Sequence, residues 1–381
     1  MTTTAQDSAF IEAVASLVKA GLAPKARAID EDGLYPRDWL DDLGELGGFA
    51  AAIPAGRGGL GLGLAAQIEA TTQVGIACGS TAFLTWCQSC CAWYLLHAPN
   101  AAIRERYLAD VAQGRLKAGT GMSNSVKHLA GIEKIHLQAR RDGDDYLIDG
   151  ILPWVSNVGQ DHLLITTAAA DDGYVMFALT CDAPSLELHP CQEFSGMEGT
   201  QTLNLRFNGV RVRPADVLAY PAQFDAYIRR IKPGFVLGQT GMAFGVTRGC
   251  LQTIQECNAI SRSPVNAFLD DQGSELADEL ARLEQRTTAL ARQADAGQAP
   301  LLDVLTARAQ ASELALRAAN SAVLHAGAKG YLKRHPAQRR LREAVFVAIV
   351  TPALKHLRKE IHDLRQSQSV PVEQVRQAQA A

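Results

Sequence analysis

The stretch HLQARRDGDDYLIDGILPWVSN, residues 136–157, decides the fold class of this chain of 381 residues. Apolar and polar side chains alternate on both sides of an Asp-Gly pair, which is the pattern of a β-hairpin with a tight turn. Residues 161–180 repeat the plan around Asp-Asp-Gly, and residues 201–219 form another predicted strand pair bounded by Asn-Gly. These three stretches predict an antiparallel β-domain, which we place at residues 117–222.

Both flanks of the β-domain show helical periodicity instead. Within residues 1–116, Trp39 and Leu43 follow helical spacing in a segment that ends in a glycine pair. Residues 223–381 contain several amphipathic stretches, among them LLDVLTARAQASELALRAANSAVLHAG at 301–327. We therefore predict an α+β chain with an N-terminal α-helical domain, a middle antiparallel β-barrel domain and a C-terminal four-helix bundle.

Four glycines in the last region are spaced three or four residues apart, at Gly238, Gly241, Gly245 and Gly249. We expect them on one helix, where each costs about 1 kcal/mol relative to alanine. Close approach of a neighbouring backbone would offset that cost, because only glycine leaves room for it. The spacing therefore predicts a tight helix–helix contact in the bundle.

The composition is that of a globular protein with a sizeable core, since 47% of the residues are hydrophobic and 20% are charged. The net charge of -3 favours neither nucleic acid nor an anionic membrane as a partner. We see no signal peptide and no stretch that is apolar and long enough to span a bilayer. We therefore expect a cytoplasmic protein whose eight cysteines are reduced. Cys87 and Cys90 have CxxC spacing but no second ligand pair, so no metal site is expected.

A Trp-x-Ser step, Trp154 to Ser156, ends the first β stretch. With helices, a β-domain and a helical bundle in this order, the chain resembles the acyl-CoA dehydrogenase family of flavoproteins over essentially its whole length. In that family the aromatic ring covers the flavin, and the hydroxyl two residues on bonds to its redox-active edge. The resemblance implies FAD as the cofactor. It also implies that Trp154 shields the ring from water and that Ser156 donates to it.

A glycine-rich segment near the C-terminus carries the same resemblance. GAKGY, residues 327–331, is similar to the family's Gly-Gly-x-Gly-Tyr loop, with Ala328 in place of one glycine. In the family this loop brings backbone N–H groups to the pyrophosphate of a flavin held by a neighbouring subunit. The resemblance therefore implies flavin contacts from Gly327 and Gly330, and a homodimer or homotetramer whose sites are completed across subunits.

Two less complete matches concern the same cofactor. In GMSNSVKHLAGIEK, residues 121–134, Ser123 and Asn124 stand where the family has a Thr-Glu-Pro step. The resemblance implies hydrogen bonds from both side chains to the edge of the flavin ring. Arg262 matches a family arginine, which implies an ion pair with the flavin phosphates. A plain surface role is the alternative for Arg262, because the residues after it depart from the family pattern.

The resemblance also indicates where a proton acceptor should lie. The family's reaction removes a proton next to a thioester carbonyl, and most members use a glutamate for this step. Counted from Gly330, that position falls on Thr351, and the position used by a minority of members falls on Ile231. Neither residue is a carboxylate, so the catalytic base is unknown. Glu343 and His356 are the candidates that remain.

The apolar run before Thr351 stops at Thr351-Pro352, and an amphipathic stretch follows. Threonine is a common N-cap, and proline is favoured at the first helical position. We therefore expect a helix to begin here, with Thr351 as its N-cap.

The sequence leaves three functions open. The first is an FAD-dependent oxidoreductase of acyl-CoA dehydrogenase type, which desaturates an acyl thioester and transfers hydride to flavin with a non-standard or missing base. The second is a flavin-dependent monooxygenase that takes reduced flavin from a partner reductase and does not need the glutamate. The third is a catalytically inactive flavin-binding homologue. An electron-transfer protein or a flavin reductase is the partner implied by the first two.

Overall fold

The computed structural model describes residues 5–261 and 264–369. Along them come a run of helices, a run of strands that holds one short helix, and a second run of helices. The predicted α+β organisation is confirmed.

The N-terminal part of the molecule packs around one buried helix, α5 (Gly79–His97). Its apolar residues lie on all sides and are almost all buried, as expected for a helix in the middle of a core. Cys78 caps its first turn, since the sulfur accepts a hydrogen bond from the Thr81 backbone N–H at 3.5 Å. The helices of this part are α1 (Ala5–Leu17), α2 (Ala26–Glu31), α3 (Arg37–Glu45), α4 (Leu64–Ala77), α5 (Gly79–His97) and α6 (Ala101–Ala112).

The middle part is a single twisted sheet with the short helix α7 (Ser123–Leu129) between its first two strands. Its strands are β1 (Ala118–Thr120), β2 (Gln138–Asp142), β3 (Asp145–Val155), β4 (Leu163–Ala170), β5 (Gly173–Thr180), β6 (Leu186–Pro190), β7 (Leu203–Val212) and β8 (Val217–Ala219). Their order is β6-β7-β3-β2-β4-β5-β8, with β1 beside β4.

The sheet differs from the predicted antiparallel barrel in two ways. Both β1 and β2 pair with β4 in parallel, because the chain between them crosses over instead of turning back in a hairpin. Among the described strands, no pairing joins β6 to β8, so the sheet stays open. The prediction of a closed antiparallel barrel is therefore wrong in detail.

Two of the three predicted hairpins are present. Asp142 pairs with Asp145 at the turn between β2 and β3, and Ala170 pairs with Gly173 between β4 and β5. The third is wrong, because the Asn-Gly pair lies inside the continuous strand β7, where the register shifts opposite β3. Gly209 has φ of +70° there and donates its N–H to the Asp149 carboxylate at 2.7 Å, so the glycine forms a bulge instead of a turn.

The C-terminal part contains the predicted bundle. Its helices are α8 (Pro221–Gly238), α9 (Thr240–Ser261), α10 (Gly273–Asp295), α11 (Leu301–Ala326), α12 (Pro336–Ile349) and α13 (Leu354–Ser369). The first four all contact one another, and α12 and α13 pack across α11. In the part of the chain that is described, no helix has both the length and the apolar character needed to cross a membrane.

The four spaced glycines do not share one helix, because Gly238 ends α8 and the others lie in α9. The predicted close contact is nevertheless present between α9 and α4. A Cβ on Gly245 would stand 2.5 Å from the Thr72 carbonyl oxygen and 2.6 Å from the Gly75 Cα. Gly249 instead makes room for the guanidinium of Arg340.

The α12–α13 link, residues 350–353, contains Thr351 and Pro352. The prediction that Thr351 caps a helix beginning at Pro352 is wrong, since α13 begins two residues later. The Thr351 hydroxyl lies 2.8 Å from the Ser123 hydroxyl of α7. Its hydrogen bond therefore joins the bundle to the sheet region instead of capping α13.

Candidate active site

A cavity of about 1210 Å³, called here the central cavity, lies where the sheet meets α5, α7 and the α12–α13 link. Its inner end is aromatic. Phe83 and Trp86 of α5 stack with ring centroids 5.6 Å apart, and Phe346 of α12 meets Phe83 edge-on at 4.8 Å. Its rim is open, with Trp154 65% and Ile349 63% exposed. The central cavity therefore has an apolar, aromatic inner end and an accessible mouth.

Trp154 presents its indole to the central cavity from β3. Its backbone has φ of +57°, a conformation that costs a non-glycine residue on the order of 1–3 kcal/mol. Met197, which also lines the cavity, has φ of +69°. Such strain persists where the surrounding structure holds a residue in one direction, and it is common at functional sites. Here the strained backbone presents a large aromatic ring to open space.

Ser156 ends a row of three hydroxyls in the cavity wall. Its Oγ lies 2.6 Å from Thr202 Oγ1, which lies 2.8 Å from Thr200 Oγ1, and Thr200 donates to the Met197 carbonyl at 2.7 Å. Because each hydroxyl has one proton, Thr202 must donate to Thr200, and Ser156 must donate to Thr202. Ser156 therefore offers only lone pairs to the cavity. The donor role predicted for it is not available while this row is intact.

Ser123 lines the central cavity from the start of α7. It shares one hydrogen bond with Thr351, with 2.8 Å between the two hydroxyl oxygens. Two hydroxyls carry two protons and this bond uses one, so one proton remains free to donate into the cavity. Ser123 can thus make the hydrogen bond that the sequence predicts for it.

The side chain of Asn124 is not available to a ligand, contrary to the sequence prediction. Its Nδ2 donates to Glu133 Oε1 at 2.7 Å and to the Lys134 carbonyl at 3.0 Å, and its Oδ1 accepts the His136 N–H at 2.8 Å. The residue is only 4% exposed, and a buried amide has to be satisfied by its own surroundings. The hydrogen bonds of Asn124 therefore stabilise the loop that follows α7.

Glu133 and Lys127 form an ion pair in the cavity wall that the sequence did not indicate, with Oε2 and Nζ 2.8 Å apart. Burial raises the pKa of Glu133, but the hydrogen bonds from Lys127 and Asn124 outweigh it, so the pKa lies below its ordinary value. A carboxylate held in this way is a weak proton acceptor. Glu133 reaches the cavity only through the fold of its loop, which no local pattern reports.

The two base positions implied by the resemblance lie in different surroundings. Thr351 lines the central cavity. Ile231 is 2% exposed in the core, where its carbonyl accepts the Trp93 indole N–H at 3.2 Å. Neither residue supplies a group that takes up a proton near neutral pH.

Glu343, one of the two remaining candidates, is committed to other partners. Its carboxylate accepts the Gly79 backbone N–H and the Arg339 guanidinium, both at 2.8 Å, and Arg340 lies at 3.4 Å. The residue is 3% exposed and is not part of the cavity wall. Glu343 therefore fastens α12 to the start of α5, and the structure does not support it as the base.

His356, the other candidate, lines the central cavity from the first turn of α13. Its Nδ1 accepts the Ala353 backbone N–H at 3.4 Å, which is long for a hydrogen bond. Burial lowers the pKa of His356, Lys355 and Lys127 lower it further, and Glu133 raises it. The net pKa lies below the ordinary value, so the imidazole is neutral at pH 7. Its one lone pair is then on Nδ1, where the long contact from Ala353 engages it weakly, and Nε2 carries the hydrogen.

A buried arginine supports the α12–α13 link from behind. Arg308 of α11 donates to the Val347 carbonyl at 2.7 Å and to Gln239 Oε1 at 3.0 Å. Gln239 in turn donates to the Thr351 carbonyl at 2.8 Å. Burial lowers the pKa of Arg308 to about 9, so it is still charged at neutral pH. This series of hydrogen bonds holds the backbone of Thr351 at the cavity wall.

The remaining predicted cofactor residues lie away from this cavity. Gly327 has φ of +59°, and none of the described residues beyond its chain neighbours has an atom within 4 Å of where its Cβ would stand. A Cβ on Gly330 would lie 2.8 Å from both Ala326 Cβ and the Val323 carbonyl oxygen, so this glycine is needed by its own chain. Arg262 lies outside the described residues. Within those residues, no group of three or more His, Cys, Asp or Glu is placed to hold a metal ion.

Two protein-family models match the sequence. The model described as acyl-CoA dehydrogenase, N-terminal domain, matches residues 4–115, and the model described as acyl-CoA dehydrogenase, C-terminal domain, matches residues 237–351. Together they span more than half of the chain. This chain belongs to the acyl-CoA dehydrogenase family. The resemblance found in the sequence is confirmed, and with it an FAD-dependent oxidoreductase, which is what this family comprises.

Known acyl-CoA dehydrogenases are similar over nearly the whole chain. A probable acyl-CoA dehydrogenase of Bacillus subtilis (strain 168), YngJ, is 26% identical over 354 residues, which are 89% of this chain and 92% of the relative. Cyclohex-1-ene-1-carbonyl-CoA dehydrogenase of Syntrophus aciditrophicus (strain SB) is 23% identical over 362 residues, 91% of this chain and 87% of that protein. The solved structure of butyryl-CoA dehydrogenase from Megasphaera elsdenii has a TM-score of 0.87 at 20% identity. The match covers 96% of this chain and 99% of the chain in that structure. That likeness supports the fold.

The central cavity fits the flavin ring of FAD. The Trp154 indole offers a flat apolar face, and Ser123 and Ser156 offer a donor and an acceptor for the polar edge of a ring. Pockets for drug-sized ligands measure roughly 300–1,000 Å³. The cavity of about 1210 Å³ therefore has room for a ring system and for part of a substrate.

Proposed function

We propose that this protein is an FAD-dependent oxidoreductase that desaturates the α,β carbon–carbon bond of an acyl thioester. The observation that carries the proposal is the exposed Trp154 indole beside a cavity with an aromatic inner end. A flat aromatic face suits a flavin ring, and the aromatic end suits an acyl group. An acyl-CoA is the proposed thioester, because the relatives described above are named as dehydrogenases of CoA thioesters.

The residues of the chain bind and orient the flavin and the acyl group, and they exclude water from both. Bound FAD supplies the chemistry of accepting a hydride from the β-carbon. Trp154 covers the ring and keeps water from it, while Ser123 donates to the polar edge and Ser156 accepts. Phe83 and Trp86 surround the acyl end, and their apolar rings keep that end dry.

We propose a homodimer or homotetramer as the working form. In the segment that follows Gly327, Tyr331 is 83% exposed and Leu332 is 63% exposed. Two large apolar side chains beside an open glycine are unusual for a free surface and suit contact with a second chain. The same segment is the one that, in the family pattern, reaches the flavin of a neighbouring subunit.

Reoxidation of the flavin needs an electron-transfer partner, which we propose to be a separate electron-accepting protein. The cytoplasm is the proposed compartment, because all eight cysteines are free thiols, as a reducing environment keeps them.

A monooxygenase that receives reduced flavin from a reductase is the second candidate. One observation favours it: Thr351 stands at the family's base position, and its hydroxyl is hydrogen-bonded to Ser123. Oxygen chemistry at a reduced flavin does not need the glutamate that is missing there. Oxygen uptake that depends on an added flavin reductase would support this candidate.

Anaerobic reduction of the flavin tests the proposal. The protein is loaded with FAD and mixed with a series of acyl-CoA thioesters of increasing chain length, and the visible absorbance of the flavin is followed. We expect at least one thioester to bleach the flavin, with the enoyl thioester as product by mass spectrometry. The proposal fails if the protein binds FAD and no thioester reduces it.

A further inference from the structure

The titratable groups in the wall of the central cavity are few, and most are already engaged. In the described part of the chain they are Cys87, Lys127, Glu133, Arg342, Lys355, His356 and Arg358. The lysines and arginines are cations without a lone pair for a proton. Burial raises the pKa of the Cys87 thiol, so it stays protonated. Among these groups, Glu133 and His356 are the two that can accept the proton.

The partners of the two residues decide between them. Glu133 accepts from Lys127 and Asn124, at 2.8 and 2.7 Å, and taking up a proton would disrupt both contacts. Within the described residues, the His356 ring has one hydrogen bond, the long contact from the Ala353 N–H to Nδ1 at 3.4 Å, so the Nδ1 lone pair is only weakly engaged. Of the charges near His356, Lys355 and Lys127 disfavour its protonated form and the Glu133 carboxylate favours it.

We propose that the imidazole of His356 accepts the α-proton of the substrate, replacing the carboxylate that is missing at Thr351. The inference rests on the proposed function. The Cα–H bond breaks and its proton forms an N–H bond at Nδ1 of the imidazole, which gives up the long contact from the Ala353 N–H. The Cβ–H bond breaks and its electron pair leaves as hydride to the flavin. A Cα=Cβ bond forms, so the thioester loses two electrons and the flavin gains two.

Proton removal can be measured apart from oxidation. An acyl-CoA analogue with sulfur in place of the β-carbon cannot lose hydride, but it can exchange its α-protons with deuterium oxide. With FAD-loaded protein, we expect His356→Gln to slow this exchange by about 100-fold or more, as is typical for loss of a general base. His362→Gln, an exposed histidine on the same helix, is the matched control and should exchange at the wild-type rate.

A second variant separates proton transfer from folding. In the His356→Gln background, Thr351→Glu puts a carboxylate back at the position that the family uses. We expect exchange to recover by at least tenfold over His356→Gln alone, because the fold and the cavity are otherwise retained.

The wild-type pH profile needs no variant. Lys355, Lys127 and Glu133 are the charged groups that act on His356. Because its pKa is lowered from 6.5, exchange should rise with pH below 6.5 and be level at pH 7. If Glu133 were the base, the rise would end below pH 4.5, and Glu133→Gln would abolish exchange.

The outcomes separate the two proposals. The His356 inference is overturned if wild-type protein bleaches with an acyl-CoA while His356→Gln exchanges at the wild-type rate. The same holds if Glu133→Gln stops exchange and His356→Gln does not. If wild-type protein neither bleaches nor exchanges, the proposed function itself has failed.

Discussion

At the scale of single residues, the sequence names Trp154 and Ser156, because a Trp-x-Ser step at the end of a β stretch is a local pattern. It does not report what those residues do, since their roles depend on neighbours distant in sequence. The Ser156 hydroxyl donates to Thr202 because it belongs to a row of hydrogen-bonded hydroxyls that ends at the Met197 carbonyl. The Asn124 side chain is likewise unavailable to a ligand, because its hydrogen bonds are all made within its own loop.

Substitution of Trp154 should weaken FAD binding. Trp154→Ala removes an aromatic face worth about 1 kcal/mol, so we expect the dissociation constant for FAD to rise about fivefold. Trp154→Phe keeps a ring with the same backbone strain and should bind within about twofold of wild type. Titration of the apoprotein with FAD, followed by fluorescence, measures both. Equal affinity of wild type and Trp154→Ala would contradict the placement of the ring.

At the scale of elements, helices and hairpins follow from periodicity and turn residues, which act over a few positions. The parallel pairing of β1 and β2 with β4 does not, because it depends on a crossover that local patterns do not encode. The glycine spacing in α9 predicts a close contact but not its partner. The structure identifies that partner as α4.

The α4–α9 contact should not tolerate a methyl group. Gly245→Ala places a Cβ against the Thr72 carbonyl and the Gly75 Cα, both backbone atoms that cannot move aside. We expect the free energy of unfolding in urea to fall by about 1–3 kcal/mol, although alanine is the better helix former.

Gly56→Ala is the control for that substitution, since no atom of residues 5–261 or 264–369 beyond its chain neighbours lies within 4 Å of its added Cβ. It should change the free energy of unfolding by less than about 0.5 kcal/mol. A Gly245→Ala variant as stable as wild type would mean that the two helices are not in the contact described here.

At the scale of the whole molecule, contacts between distant segments bring the site together. Arg342 of α12 donates to both oxygens of Asp30 in α2, at 2.6 and 2.5 Å, and to the Ser195 carbonyl at 3.1 Å. These residues come from all three parts of the chain, and Arg342 also lines the central cavity. No sequence pattern marks a pair 312 residues apart, so this link was not predictable.

A double-mutant cycle measures this link. Asp30 is 7% exposed, so we expect Asp30→Asn and Arg342→Gln to show a coupling energy of about 1–3 kcal/mol in urea unfolding. The exposed pair Arg27 and Glu31 on the same helix is the control, with an expected coupling of about 0.3–0.5 kcal/mol. Equal coupling in the two cycles would show that the Asp30–Arg342 link contributes no more than an exposed ion pair.

The central claim is that a flavin ring lies against Trp154 in the central cavity. A crystal structure of the FAD-loaded protein with the sulfur-substituted thioester tests it most directly. We predict the isoalloxazine ring stacked on the Trp154 indole, with the α-carbon of the thioester between that ring and the His356 imidazole. A ring bound elsewhere, or a cavity closed by side chains with Trp154 packed inward, would contradict the account.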